Sequence, residues 1–139
     1  MNIPNPYFQG VPDVGDLEFK YCFYSLNRPM LFVCTDNNKR IDGSRNYYLC
    51  SCYELTKNIG WIIAKISKDL LLDMINNNIS LRDTFNQCTK KYVAVFTAGD
   101  KYEKVVETNK FDDDLLPVIN AYLDMEDNEY DDFIRKLKK

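Results

Sequence analysis

The side chains able to do chemistry are unevenly spread along this 139-residue chain. Asp112, Asp113, Asp114, Asp124, Glu126, Asp127, Glu129, Asp131 and Asp132 crowd into residues 112–132, a stretch with no Lys or Arg. Crowded carboxylates can hold a hard cation, move protons, or face a cationic partner. A calcium loop needs spaced ligands and a turn glycine, which the bare triplet Asp112-Asp113-Asp114 lacks, so no metal is expected. A carboxylate pair for acid–base work can be drawn from 21 acids in many ways, and no such choice carries information. A basic protein surface is the expected target.

The same block also has a plainer explanation. Tyr130, Phe133, Ile134 and Leu137 fall at i, i+3, i+4 and i+7, the stripe of an amphipathic helix. Acids at its start and Arg135, Lys136, Lys138 and Lys139 in its last turn are what the helix dipole favours. A solvated, dipole-matched helix and a recognition surface both remain open.

Histidine is absent, which removes the commonest general base, the commonest zinc ligand and every Ser-His or Cys-His nucleophile pair. Cys22, Cys34, Cys50, Cys52 and Cys88 are an odd number, and no segment at the start of the sequence reads as a secretory signal. A reduced, cytoplasmic chain is therefore expected. Cys50 and Cys52 would point to one face of a strand, but neither their spacing nor the absence of His suits structural zinc. Small buried side chains are the expected role of this pair. Cys88 has no base beside it in sequence to lower its pKa, so no thiol nucleophile is expected.

Aromatic residues are the unusual quantity, at 14% with ten Tyr. Tyr47, Tyr48 and Tyr53 cluster in one segment, with Tyr21 and Tyr24 in another. Tyrosine is enriched at protein interfaces, and Tyr47 and Tyr48 join the acids as expected partner-binding residues. The same rings could equally fill a core.

Composition bounds the rest. Apolar residues make up 45% of the chain and charged residues 28%, an ordinary globular balance. A chain of this length buries enough surface for one core. No apolar run approaches the roughly 18 residues of a membrane-spanning helix. The first 111 residues hold 14 basic and 12 acidic side chains, so no basic face for direct nucleic-acid binding is expected.

The elements that must position these groups follow from period and punctuation. Residues 1–16 hold three of the five prolines and two of the five glycines, and read as an irregular N-terminal arm. Leu17, Phe19, Tyr21 and Phe23 alternate with more polar neighbours, predicting a strand with one strongly apolar face. Further strands are predicted over 30–35, 47–55, 61–66, 92–97 and 102–107, joined by short polar turns, and hence an antiparallel meander. Ser67 predicts an N-cap for a helix carrying Leu70, Leu71, Met74 and Ile75. Ser80-Leu81-Arg82-Asp83 resembles a capping box opening a short helix through Phe85. Pro117 suits the first position of another helix. The expected fold is α+β: one domain over residues 17–139, a mostly antiparallel sheet of about six strands with helices on one face, and an acidic C-terminal helical region.

Four short motifs resemble a family of small uncharacterised bacterial proteins: Gly15-Asp16-Leu17-Glu18-Phe19, Asn27-Arg28-Pro29-Met30-Leu31-Phe32-Val33-Cys34, Trp61-Ile62-Ile63-Ala64 and Ile79-Ser80-Leu81-Arg82-Asp83-Thr84-Phe85. The likeness spans residues 15–86 and implies a cytosolic bacterial or phage origin. It implies no activity, and the acidic C-terminal block lies outside it.

Taken together, these features predict a non-catalytic interaction protein without cofactors, not an enzyme. The expected kind is an inhibitor of the anti-CRISPR or immunity type, binding a basic protein surface through acidic and aromatic residues. The alternative is a domain that binds or sequesters a nucleotide-like small ligand on stacked tyrosines. Oligomeric state is left open.

Overall fold

The computed structural model describes residues 8–25, 29–36, 46–55, 58–96, 103–123 and 133–135. The central strands show why the fold forms. β4 (Tyr47–Leu55) and β5 (Asn58–Ile66) pair antiparallel in unbroken register from Tyr47 opposite Ile66 to Leu55 opposite Asn58. Successive side chains alternate between faces, and here both faces are buried. Tyr48, Cys50, Trp61 and Ile63 enter one apolar cluster, whereas Leu49, Tyr53, Ile62, Ala64 and Ile66 enter another. This is why the run Trp61-Ile62-Ile63-Ala64 is continuously apolar rather than alternating.

Around this pair the chain lays down β1 (Phe8–Val11), β2 (Gly15–Ser25), β3 (Pro29–Asp36), β6 (Lys91–Phe96) and β7 (Glu103–Thr108). The seven strands stand in sequence order, every neighbouring pair antiparallel. The sheet curls until β1 packs against β7, close to a barrel. Its enclosed face gathers residues from all seven strands and from no other element. Rings stack there: Phe32 lies 6.1 Å from Phe8 and 5.4 Å from Phe19, and Trp61 meets Phe8 edge-on at 6.1 Å.

The curl has a cause in β2. Its register against β3 shifts between Phe19 and Tyr21 and again between Cys22 and Ser25. Such bulges insert an unpaired residue, increase twist and exchange the faces beyond them. Leu17 and Phe19 therefore join the enclosed cluster, while Tyr21 and Phe23 join the opposite one. The single apolar face expected for Leu17, Phe19, Tyr21 and Phe23 is corrected accordingly.

The N-terminal reading also changes, because the expected irregular arm over 1–16 contains a strand. Phe8 pairs with Leu17 across a hairpin whose tight return is made by Asp13 (φ 64°) and Gly15 (φ 93°). The Asp16 carboxylate also accepts from the Gly10 amide at 3.1 Å. Phe8 and Val11 are buried in the enclosed cluster, and full burial of such side chains contributes roughly 1.5–3 kcal/mol each. That burial holds a four-residue strand too short to alternate visibly in sequence. The sheet thus has seven strands where about six were expected.

Two helices cover the other face, as expected for α+β. α1 (Lys68–Ile75) starts at Ser67, whose hydroxyl accepts from the Leu70 amide at 3.1 Å. Asn77, at φ 62°, lies just beyond its end, a backbone state that asparagine tolerates. α2 (Leu81–Gln87) starts at Ser80, whose hydroxyl accepts from the Asp83 amide at 3.2 Å. Leu71, Met74, Ile75 and Phe85 pack onto the face that holds Leu49 and Ile62.

The helix expected to open at Pro117 does not form. Residues 111–123 make a loop with one short 3-10 turn at Asp113–Leu115. Leu116 ahead of Pro117 offers no capping side chain, and Val118 and Ile119 are poor helix formers. Of the C-terminal stripe, residues 133–135 are helical, and Tyr130 and Leu137 lie outside the described residues. Phe133 is buried, stacked on Tyr21 at 4.7 Å and edge-on to Phe23 at 5.5 Å. The polar turn expected between the strands over 30–35 and 47–55 also falls almost wholly outside the described residues.

Candidate interaction site

Among the described residues, the loop over 111–123 is the most distinctive surface feature. Three apolar side chains anchor it: Phe111, Leu116 and Leu123 are buried in the cluster beneath the helices. Phe111 meets Phe85 of α2 edge-on at 6.0 Å. Between the last two anchors the chain makes a β-turn, closed by the Ala121 amide donating to the Val118 carbonyl at 3.1 Å. Asn120 takes the third turn position at φ 64°, which asparagine accommodates more readily than other non-glycine residues.

Both shoulders of this turn are fixed to the start of α2. A helix leaves its first four amide donors without intrahelical partners, and here the Leu81 amide donates to the Ala121 carbonyl at 2.8 Å. On the other shoulder, Arg82 Nε donates to the Pro117 carbonyl at 2.8 Å. The rest of the same guanidinium reaches Asp113, giving 3.2 Å to its carboxylate and 3.2 Å to its carbonyl. The Arg82 fork thus holds three acceptors in the loop at once, which its rigid planar geometry permits. The Asp113 carboxylate is largely exposed, so that ion pair by itself adds little.

What the anchored loop presents is an exposed apolar tip, preceded in sequence by exposed acids. Val118 is 76% exposed, Ile119 66% and Tyr122 45%. Single exposed apolar residues are ordinary, but here three fall within five residues at one fixed turn. Asp112 and Asp114 are exposed nearby in sequence and make no ion pair among the described residues.

The expected partner-binding residues are therefore divided. Asp112, Asp113 and Asp114 lie on this loop, with Asp113 engaged by Arg82. Asp124, Glu126, Asp127, Glu129, Asp131 and Asp132 lie outside the described residues. Their segment is bounded by two buried anchors, Leu123 and Phe133. Tyr48 is corrected: at 2% exposure it is part of the enclosed cluster and offers no surface. Tyr47, one residue earlier on β4, goes to the opposite face and is half-buried beneath the helical layer. Strand alternation separates the two rings, so they cannot stack on one ligand. Val118, Ile119, Tyr122 and Arg82 were not singled out by sequence. An apolar pair between Pro117 and Asn120 was the available signal, passed over because Pro117 was read as a first helical position.

Cys34, Cys50 and Cys88 are buried as small apolar side chains would be, whereas Cys22 and Cys52 are half-buried, so of the pair expected to be buried only Cys50 is fully so. Cys34 and Cys50 are buried on adjacent strands with sulfurs 4.0 Å apart, but their register is diagonal, since Cys34 sits opposite Tyr48. Diagonal neighbours are farther apart than a disulfide spans without backbone movement. Cys88 donates from sulfur to the Thr84 carbonyl at 3.2 Å. Burial pushes its thiol up to about 12, against a smaller downward pull from the Lys91 charge. Burial raises Cys22 as well. Among the described residues no group of three or more His, Cys, Asp or Glu could hold a metal ion. No helix among them is long and apolar enough to cross a membrane. Comparison with known protein families, with characterised proteins and with solved structures gives no match to this chain.

Proposed function

We propose that the chain is a non-catalytic interaction protein that binds a basic protein surface through acidic and aromatic residues. Its expected kind is a bacterial or phage inhibitor, of the anti-CRISPR or immunity type. The observation that carries the reading is the anchored loop, where exposed Asp112 and Asp114 share thirteen residues with an exposed Tyr122. Carboxylates steer a cationic partner into register, and a ring at a fixed position supplies contact area at low entropic cost. The small-ligand alternative draws no support from Tyr47 and Tyr48, which β4 sends to opposite faces.

The test is recovery of partners from a bacterial lysate on the immobilised chain, at low and then high salt, beside an Asp112→Asn/Asp114→Asn variant. The reading expects one stoichiometric protein, lost at high salt and weakened by the variant. A protein held equally at both salt levels and by both chains contradicts it. A co-purifying small molecule with no protein would favour the alternative.

A further inference from the structure

We infer that residues 118–122 act as a preformed apolar wedge, entering a partner protein's cleft whose floor is aliphatic or aromatic and whose rim carries Lys or Arg. This rests on the interaction reading above and deepens it, moving the binding energy from the acids to Val118 and Ile119. Two observations combine. The tip side chains stand 76% and 66% exposed, an unfavourable state for branched aliphatics that burial in a partner would relieve. The turn that bears them is fixed on both sides, by Leu81 at Ala121 and by Arg82 at Pro117. A tip already held in its bound shape avoids much of the ordering cost of association.

Charge selects the occupant. Asp113 is matched by Arg82, which leaves Asp112 and Asp114 as the net charge of the loop among the described residues. Two exposed carboxylates on the loop that bears the apolar tip repel phosphate, which disfavours nucleic acid. They would also face their own copies across a symmetric contact, which disfavours a second molecule of this chain. A cleft with a cationic rim satisfies both features. Rim charge chiefly governs encounter and salt dependence, whereas an aliphatic anchor in a pocket governs residence.

A random-peptide display library is the probe, selected against the full chain, a Val118→Ser/Ile119→Ser variant and an Asp112→Asn/Asp114→Asn variant. These positions are on the surface, and matching circular dichroism of the three chains confirms a common fold. The native chain is expected to enrich peptides that combine basic residues with an aromatic or large aliphatic residue. The tip variant should lose that enrichment by roughly tenfold or more. The charge variant should keep the apolar preference and lose the basic one. Enrichment of basic peptides unchanged by the tip variant overturns the wedge while leaving the acidic-surface reading standing. Apolar enrichment with no basic preference leaves the wedge without its cationic rim and overturns both. A concentration-dependent dimer, abolished by Val118→Ser/Ile119→Ser in sedimentation, overturns it in favour of self-association.

Discussion

Arg82 Nε lies 2.8 Å from the Pro117 carbonyl oxygen, although 35 residues separate them in sequence. The first turn of α2 thereby fixes a surface loop that has little regular structure of its own. The amide of Leu81, next to Arg82, completes the attachment at Ala121. A helix start whose orphan donors serve a neighbouring loop leaves both elements more rigid than either alone.

Arg82→Ala should therefore cost about 1–3 kcal/mol of stability, the usual range when hydrogen bonds to a charged donor are lost. The effect should also be local, with faster amide exchange at Leu81 and Ala121 and little change in the sheet. Arg82→Lys should restore only part of the loss, because one ammonium cannot reach three acceptors as the fork does. Denaturant unfolding with site-resolved hydrogen exchange checks both. An Arg82→Ala chain with native exchange at Leu81 would show that the loop is held by its apolar anchors alone.

Much of this arrangement was legible in the sequence, and the parts that were not have physical reasons. Ser67 and Ser80 mark both helix starts, because a hydroxyl followed by an acid in the first turn has few other uses. The strands from Met30 to Ile66 follow from their apolar runs and the polar turns between them. β1 was hidden because Phe8 and Val11 gain their partners only once the sheet has curled. The faces of β2 were misassigned because a bulge leaves the composition unchanged while inverting the alternation beyond Lys20. The loop tip was misread because Pro117 suits a first helical position but does not by itself propagate a helix, with no cap at Leu116 and two β-branched residues following. Contacts with α2 then fix the turn in its place.

Gly60 sits opposite Tyr53 in the β4–β5 ladder, with the Tyr53 ring lying over it. A Cβ at this position would run into the Ala94 carbonyl of β6 and into that ring. Gly60→Ala should destabilise by roughly 1–3 kcal/mol, the usual cost of overpacking a core. Trimming the ring in a Tyr53→Ala background should not relieve it, because the Ala94 carbonyl is backbone. A thermal melt of each variant decides, and full rescue by Tyr53→Ala would contradict the backbone clash.

Phe133 ties the C-terminal end of the described chain to β2 through Tyr21 and Phe23. Phe133→Ala should cost about 3–5 kcal/mol, as for other large-to-small core changes of this type. Limited proteolysis should then cut beyond Leu123 first. Unchanged stability would mean that the C-terminal segment contributes nothing to the core.

Stability should fall at alkaline pH. Burial holds the folded Cys88 thiol at about 12, above its ordinary 9.0, so the unfolded chain loses that proton first. Folded Tyr53 and Tyr92 are shifted upward in the same direction, each mainly by burial. The contribution is fully present below the ordinary thiol value and is lost as pH rises from 9.0 toward 12. Unfolding measured across that window should show the decline, and Cys88→Ala should flatten part of it. An identical decline in Cys88→Ala would assign it to other groups. By the same reasoning, native Cys88 should resist thiol reagents near neutral pH and react once the chain is unfolded.

The central claim is that carboxylates on an anchored loop recruit a basic partner. The most direct measurement is the affinity of the recovered partner for the native chain and for Asp112→Asn/Asp114→Asn across a range of ionic strength. Screening weakens exposed charge pairs and leaves apolar contacts largely intact. The account predicts steep weakening with salt for the native chain and a clearly shallower dependence for the variant. Two parallel curves, or an affinity that salt does not change, would contradict it.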